Sequence, residues 1–124
     1  MSNRTQRPIL VVDDDEIILQ SIDAILSDED YTVLIATNGK EALEQARLTP
    51  PALILLDMKM PVMDGWTFAA SYRQQPPPHA PIVVMTAARD TRARAAEIGA
   101  DEFLAKPFNL DDLLTVVRRF FLAE

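Results

Sequence analysis

Three runs of four apolar residues, Ile9 to Val12, Leu53 to Leu56 and Ile82 to Met85, punctuate the chain. Each is continuous rather than alternating, the pattern of a strand covered on both faces, as strands of a parallel sheet are. Thr32 to Ala36 and Phe103 to Ala105 are weaker candidates, which makes five strands. Between them the apolar residues return at helical spacing. Glu16 to Leu26 places Ile18, Ile22, Ile25 and Leu26 on one face. Asn38 followed by Glu41 has the spacing of a capped helix start, and that helix must end before Pro50 and Pro51. A third helix is predicted from about Asp64 to Arg73, before the triple proline at 76–78. A fourth runs from Arg89 to Ile98 and stops at Gly99. A fifth runs from Asp111 to Leu122 after an Asn109 cap, burying some of Leu113, Leu114, Val117, Phe120 and Phe121. Five repeats of strand then helix predict an α/β fold with a parallel sheet and helices on both sides.

In open sheets of this kind the binding crevice lies outside the C-terminal strand ends. Those ends carry Asp13 and Asp14 after the first strand, Asp57 after the third, Thr86 after the fourth and Lys106 after the fifth. Three carboxylates, a hydroxyl and an ammonium therefore converge on one edge. Two carboxylates about 4.5 Å apart repel by roughly 4 kcal/mol at an effective dielectric near 20. Such a cluster needs a proton, an opposing charge or a metal. An all-oxygen set without histidine or cysteine suits a hard cation, and a site keeping several waters points to Mg2+ over Ca2+. The Asp57 carboxylate could then attack phosphorus to form an aspartyl phosphate, with Thr86 and Lys106 touching the transferred group. No glycine-rich phosphate loop is present, so the phosphoryl donor is expected to be another molecule.

Composition narrows the classes. Apolar residues make up 48% and charged residues 25% of 124 residues, a globular profile of single-domain size. No apolar run is long enough to span a bilayer, and the N-terminal residues lack the apolar stretch of a signal peptide, so a cytoplasmic protein is expected. The chain has no cysteine, which removes disulfide and zinc-thiolate chemistry. Twelve basic against nineteen acidic residues give a net charge of -7, which repels a phosphate backbone and argues against direct nucleic-acid binding.

With these residues in view, the chain resembles the receiver domain of two-component response regulators. The resemblance is carried by VVDDD at 11–15, LLDMKMPVMDG at 55–65, VVMTA at 83–87 and GADEFLAKPF at 99–108. It covers Pro8 to about Phe121 and implies one domain over 1–124, a CheY-like stand-alone receiver with no output domain. The implied fold is a flavodoxin-like three-layer sandwich whose five-stranded parallel sheet has the order 2-1-3-4-5. The implied activity is transfer of a phosphoryl group to Asp57 from a histidine kinase or histidine phosphotransfer protein. The resemblance further implies Mg2+ held by Asp14, Asp57 and the backbone carbonyl of Lys59, with Asp13 acting mostly through water. Thr86 would follow the phosphoryl group, the Ala87 amide would support it and Lys106 would pair with it. Phe103 stands at the family's switch-aromatic position, and the Lys106-Pro107 bond is implied to be cis. The output would be a changed protein-binding surface of the fourth helix, fifth strand and fifth helix, in a monomer or a phosphorylation-linked homodimer. The downstream target is not named by these residues. The segment from Ala88 to Ile98 is shorter than the family's usual length, so a trimmed fourth helix or preceding loop is expected.

Blander roles stand beside these. Asp15 and Glu16 suit the positive end of the first helix better than a metal. Phe103 could be edge-strand packing, and Trp66 and Phe68 fit the core face of the third helix. Lone His79 has no companion for a site. Arg89, Arg92, Arg94, Arg118 and Arg119 form a basic patch only if their helices adjoin and the side chains point the same way. A self-modifying signalling module, not a turnover enzyme, is the primary expectation. The alternatives are a Mg2+-dependent phosphohydrolase, for which no substrate-specificity loop, cap domain or second acidic residue for a general-base role near Asp57 is evident, and a phosphate-independent receiver-like scaffold.

Overall fold

The five apolar runs lie side by side as one parallel sheet in the computed structural model of the protein, which describes residues 7–87 and 89–121. The strands are β1 (Ile9–Val12), β2 (Val33–Ala36), β3 (Leu53–Asp57), β4 (Ile82–Ala87) and β5 (Glu102–Lys106). Their order is β2-β1-β3-β4-β5, as the resemblance implies. The helices are α1 (Glu16–Asp28), α2 (Gly39–Leu48), α3 (Gly65–Tyr72), α4 (Thr91–Ile98) and α5 (Leu110–Arg119).

Side chains along a strand point alternately to opposite faces, and that divides each apolar tetrad between two cores. Leu10, Val12, Ile54, Leu56, Ile82 and Val84 pack with residues of α2, α3 and α4, including Ala42, Phe68 and Ala95. Ile9, Val11, Leu53, Leu55, Val83 and Met85 pack with α1 and α5 through Leu19, Ile22, Leu113 and Val117. Burial on both faces removes any need for polar alternation in these strands, and each fully buried aliphatic side chain contributes about 1.5–3 kcal/mol. The edge strands are less covered: Ile35 of β2 is exposed, and Glu102, Phe103, Ala105 and Lys106 of β5 are half-buried.

Several boundaries depart from the sequence reading. β4 continues through Thr86 to Ala87 because β5 pairs with it there, matching Thr86 with Ala105 and Ala87 with Lys106. α4 starts at Thr91, two residues later than Arg89, and ends as predicted at Gly99, whose φ of 64 is left-handed. α5 starts at Leu110, since Asn109 and Asp112 cap each other's backbone N–H groups, and ends at Arg119 with Phe120 and Phe121 in the following turn. Leu122 and Ala88 lie outside the described residues. In α1 the buried face is Leu19, Ile22 and Leu26, while Ile18 and Ile25 are only half-buried. The Asp15 carboxylate accepts from the N–H groups of Ile17 (2.9 Å) and Ile18 (3.3 Å), the helix-start role predicted for it. Among the described residues, no helix is long and apolar enough to cross a membrane.

Candidate functional site

β1 and β3 lie side by side in the middle of the sheet, so the acids that follow their apolar runs arrive at one edge. Asp13, Asp14 and Asp57 each offer a carboxylate oxygen within 4.8 Å of the others, a group that could hold a metal ion. Asp13 is fully buried and Asp57 nearly so, whereas Asp14 is exposed. Asp13 is held at both oxygens: Oδ1 accepts from the Asp15 N–H at 3.0 Å, and Oδ2 accepts from Lys106 Nζ at 2.7 Å. The same ammonium stands 3.6 Å from Asp57 Oδ1. Lys106 thus reaches from the edge strand across β4 and β3 to β1, and its closest partner is Asp13 rather than Asp57. The Lys106-Pro107 peptide is cis.

One ammonium faces three carboxylates, and the acidity of the site reflects the imbalance. Burial, then the neighbouring Asp13 and Asp14 charges, push the Asp57 carboxyl from its ordinary 3.8 up to about 6, against the opposing pull of Lys106 and the Lys59 backbone N–H. For Lys106, burial works against the charged form. The hydrogen bond to Asp13 and the charges of Asp13, Asp57 and Asp14 outweigh it and hold the ammonium above the usual lysine range. Chemically, the site is an excess of hard oxygen donors around a buried carboxylate, which fits a divalent cation with few protein ligands.

The raised Asp57 value has a measurable consequence. Folded Asp57 keeps its proton to higher pH than the unfolded residue, so between about pH 4 and pH 6 the folded state binds more protons and stability falls as pH rises. Above that window the ionised carboxylate costs up to about 3 kcal/mol, which screening by solvent at the open edge of the site lowers to about 2 kcal/mol. Asp57→Asn is therefore expected to raise the unfolding free energy of the metal-free protein by about that amount at pH 7.5, the gain vanishing below about pH 4. Urea titrations in chelator at a series of pH values check it. A gain independent of pH would remove the electrostatic explanation.

Thr86 follows Met85, the register partner of Asp57, and is buried. Ala87 is exposed at the strand end opposite Lys106, and Lys59 is exposed in the loop after β3. Phe103 pairs with Val84 and is half-buried against the core that α2, α3 and α4 share. The proposed arginine patch does not assemble. Arg94 turns to α3, Arg118 bonds Glu29 at 2.8 Å and Arg119 bonds Glu102 at 2.5 Å, while Arg89 and Arg92 are exposed. His79, exposed, makes a 2.7 Å contact with the Gln75 carbonyl and packs edge-on against Tyr72.

Two features escaped the sequence reading. The first is how the loop after Asp57 is held. The Gly65 N–H donates to the Met58 carbonyl at 2.9 Å, and the Met63 carbonyl accepts from Gly39 N at 3.1 Å, tying the loop to α2. Midway along this loop, exposed Val62 has φ 68, a conformation rare for a β-branched residue. Relief of about 1–2 kcal/mol of steric cost, less the entropy of a freer unfolded chain, predicts that Val62→Gly gains about 0.5–1 kcal/mol. Thermal melts of the two proteins check this. The second feature is an apolar groove of about 550 Å3 between α1 and the segment after β5, lined by Ile17, Ile18, Ile25, Phe108 and Leu110 and reaching Ala87 and Lys106. Ile17 is 76% and Leu110 50% exposed.

Comparison with known proteins gives a consistent result. The family model for the response regulator receiver domain matches residues 9–118. The chain is 38% identical over 113 residues to the hybrid signal transduction protein dokA of Dictyostelium discoideum, which takes in 90% of this chain and 7% of that protein. It is 34% identical over 112 residues to the response regulator ArlR of Staphylococcus epidermidis, covering 89% of this chain and 50% of that protein. The chain therefore spans half or less of the length of these relatives. Among solved structures, the chemotaxis response regulator CheY4 of Vibrio cholerae superposes with a TM-score of 0.83 at 33% identity, over 92% of this chain and 98% of that one.

Proposed function

Since the chain belongs to the response regulator receiver family, we propose that it is a phosphorylation-dependent switch, a signalling module whose acceptor is Asp57. The observation that carries this reading is the nearly buried Asp57 carboxylate, pushed up to about 6 among three acids that share one ammonium. A histidine kinase or histidine phosphotransfer protein supplies the phosphoryl group. An Asp57 carboxylate oxygen attacks phosphorus, the phosphorus–nitrogen bond of the donor breaks, and the imidazole leaves with the bonding pair. Asp14, Asp57 and the Lys59 carbonyl would hold Mg2+, with Asp13 acting through water; when bound, Mg2+ neutralises the charge that accumulates on the phosphoryl oxygens. Lys106 pairs with one of those oxygens, the Ala87 amide donates to another, and the Thr86 hydroxyl follows the new group. The phosphoryl group adds about two negative charges. The new contacts bias a two-state element that includes Phe103 and alter the surface of α4, β5 and α5 for a downstream protein, in a monomer or a phosphorylation-linked homodimer.

The test is intact-protein mass after incubation with a small acyl phosphate, with and without Mg2+, on the natural protein and Asp57→Asn. A single Mg2+-dependent phosphate adduct, absent from the variant, is the expected result. An equal adduct on Asp57→Asn would sink the assignment.

The groove beside Lys106 supports the reading from the donor's side. A phosphohistidine on another protein must bring apolar surface with it to displace water from the exposed Ile17 and Leu110 flanks. Ile17→Ser is expected to lower the rate of transfer from a protein donor about tenfold relative to the rate from a small acyl phosphate, the scale of one interface side chain. An unchanged ratio would take the groove out of donor docking.

A further inference from the structure

Helix α4 packs through Thr91, Ala95 and Ile98 but has little capping of its own. It is eight residues long, Asp90 at its start makes no side-chain cap bond, and its last turn carries no basic residue. Its neighbour α3 supplies what is missing. Arg73, at the end of α3, donates from its guanidinium to the Ile98 carbonyl and, at 3.2 Å, to the Gly99 carbonyl, placing a cation on the negative end of α4. Further along, the Trp66 indole N–H donates to Glu97 Oε1 at 2.7 Å. The Arg94 guanidinium lies 5.4 Å from the Trp66 ring centroid and bonds Glu97 Oε2 at 3.1 Å. Arg94 Nε is buried and 3.0 Å from Glu97 Oε1, but is not aligned for a hydrogen bond, so this contact is not at its optimum. The backbone reinforces the same end of the helix, with Ala100 N–H donating to the Ala95 carbonyl at 2.8 Å. These contacts reach α4 from Arg94 onward. Asp90, before the first turn of the helix, makes no side-chain cap bond, while Thr91 in that turn is buried.

We propose that Trp66, Arg73, Arg94 and Glu97 form a clamp that fixes α4, from Arg94 to its C-terminal end, to α3 and acts as a brake on the switch. The proposal rests on the reading of Asp57 as phosphoryl acceptor and adds to it a regulatory device in this chain. The clamp contacts hold in the resting conformation and open when α4 shifts against α3, so the strength of the clamp sets how strongly the resting conformation is favoured. A ligand that prefers the moved conformation must work against that preference, so a looser clamp raises its apparent affinity.

Beryllofluoride with Mg2+, an analogue of the phosphoryl group, provides the test, with binding measured by calorimetry on the natural protein, Arg94→Met, Glu97→Gln and Asp57→Asn. Trp66 is the sole tryptophan and sits in the clamp, so its emission reports on the clamp directly. The expected result is a change in Trp66 emission at saturation, and binding to both clamp variants tightened about threefold or more. A merely structural role for these residues would lower the melting temperature without tightening binding. Should one variant fail to fold, as judged by circular dichroism, the other decides. Folded variants that bind no more tightly than the natural protein overturn the clamp and leave the acceptor assignment standing. No binding to the natural protein, or equal binding to Asp57→Asn, overturns the acceptor assignment and the clamp with it.

Discussion

Lys106→Met will lower the unfolding free energy of the metal-free protein by about 3 kcal/mol at neutral pH, the lower end of the cost of breaking a buried ion pair from one side. The lower end applies because the Lys106 side chain keeps 23% of its exposure, whereas the Asp13 side chain has none. Without the ammonium, Asp13 Oδ2 loses its 2.7 Å partner, and the Asp15 N–H on Oδ1 is left to face three clustered carboxylates. Methionine preserves the aliphatic stem, so lost packing does not account for the change. Because the deficit is uncompensated negative charge, added Mg2+ should recover more stability in the variant than in the natural protein. Urea unfolding with chelator and with Mg2+ gives both numbers. Phosphorylation by a small acyl phosphate should fall about a hundredfold, the usual scale for removing one preorganised donor from a developing oxyanion. A variant as stable as the natural protein in chelator would show that the Lys106 to Asp13 bond contributes nothing.

Gly65→Ala is the second large effect, and its cause is steric. A Cβ at Gly65 would lie 2.6 Å from Met58 Sδ, 2.8 Å from Met58 Cα and 2.9 Å from the Asp57 carbonyl oxygen. The sulfur could swing aside, but the other two atoms are backbone of the strand end and the residue after it. Overpacking at such a point costs about 1–3 kcal/mol, and relief requires the Met58 to Gly65 segment to shift. That shift carries Asp57 and Lys59 with it. A displacement on the order of 1 Å costs about a hundredfold in a reaction that depends on alignment. Melting temperature and adduct rate should fall together. A lower melting temperature with an unchanged rate would show that the loop adjusts without disturbing the acceptor.

Much of this architecture was legible because it follows from local rules. A strand buried on both faces must read as an unbroken apolar run, and Ile9 to Val12, Leu53 to Leu56 and Ile82 to Met85 do. Acids directly after two such runs had to meet once β1 and β3 paired. The strand order was supplied by the family resemblance, since apolar patterning does not distinguish one parallel arrangement from another. What stayed hidden were contacts between residues far apart in sequence whose side chains give no local sign of a partner. That Lys106 takes Asp13 as its nearest carboxylate was not read, because no periodicity links those positions. Trp66 packs partly against the core as read, and the bond of its indole N–H to Glu97 of a different helix was not foreseen. Gly65 was visible as part of a motif, but the need for a missing Cβ appears only when α3 starts against Met58. The arginines of α4 and α5 read alike in sequence and separate in space because Glu29, Glu97 and Glu102 each draw one away.

The strand order also bears on synthesis. β1 is made early yet lies inside the sheet, so its second edge stays open until β3 has left the ribosome. The acids at 13, 14 and 57 are then in hand, while Lys106, the cation that bridges to Asp13, follows 49 residues after Asp57 (106 − 57). At about 5–20 residues per second, a ribosome spends several seconds in that interval. Throughout it the nascent chain holds repelling carboxylates and an uncovered apolar strand, the kind of surface that chaperones grip. Since β5 is the outermost strand on its side of the sheet, its addition completes the acidic edge and supplies the counter-charge in one step. On the reading of Asp57 as acceptor, a chain whose fifth strand has not docked lacks the Lys106 ammonium at that site.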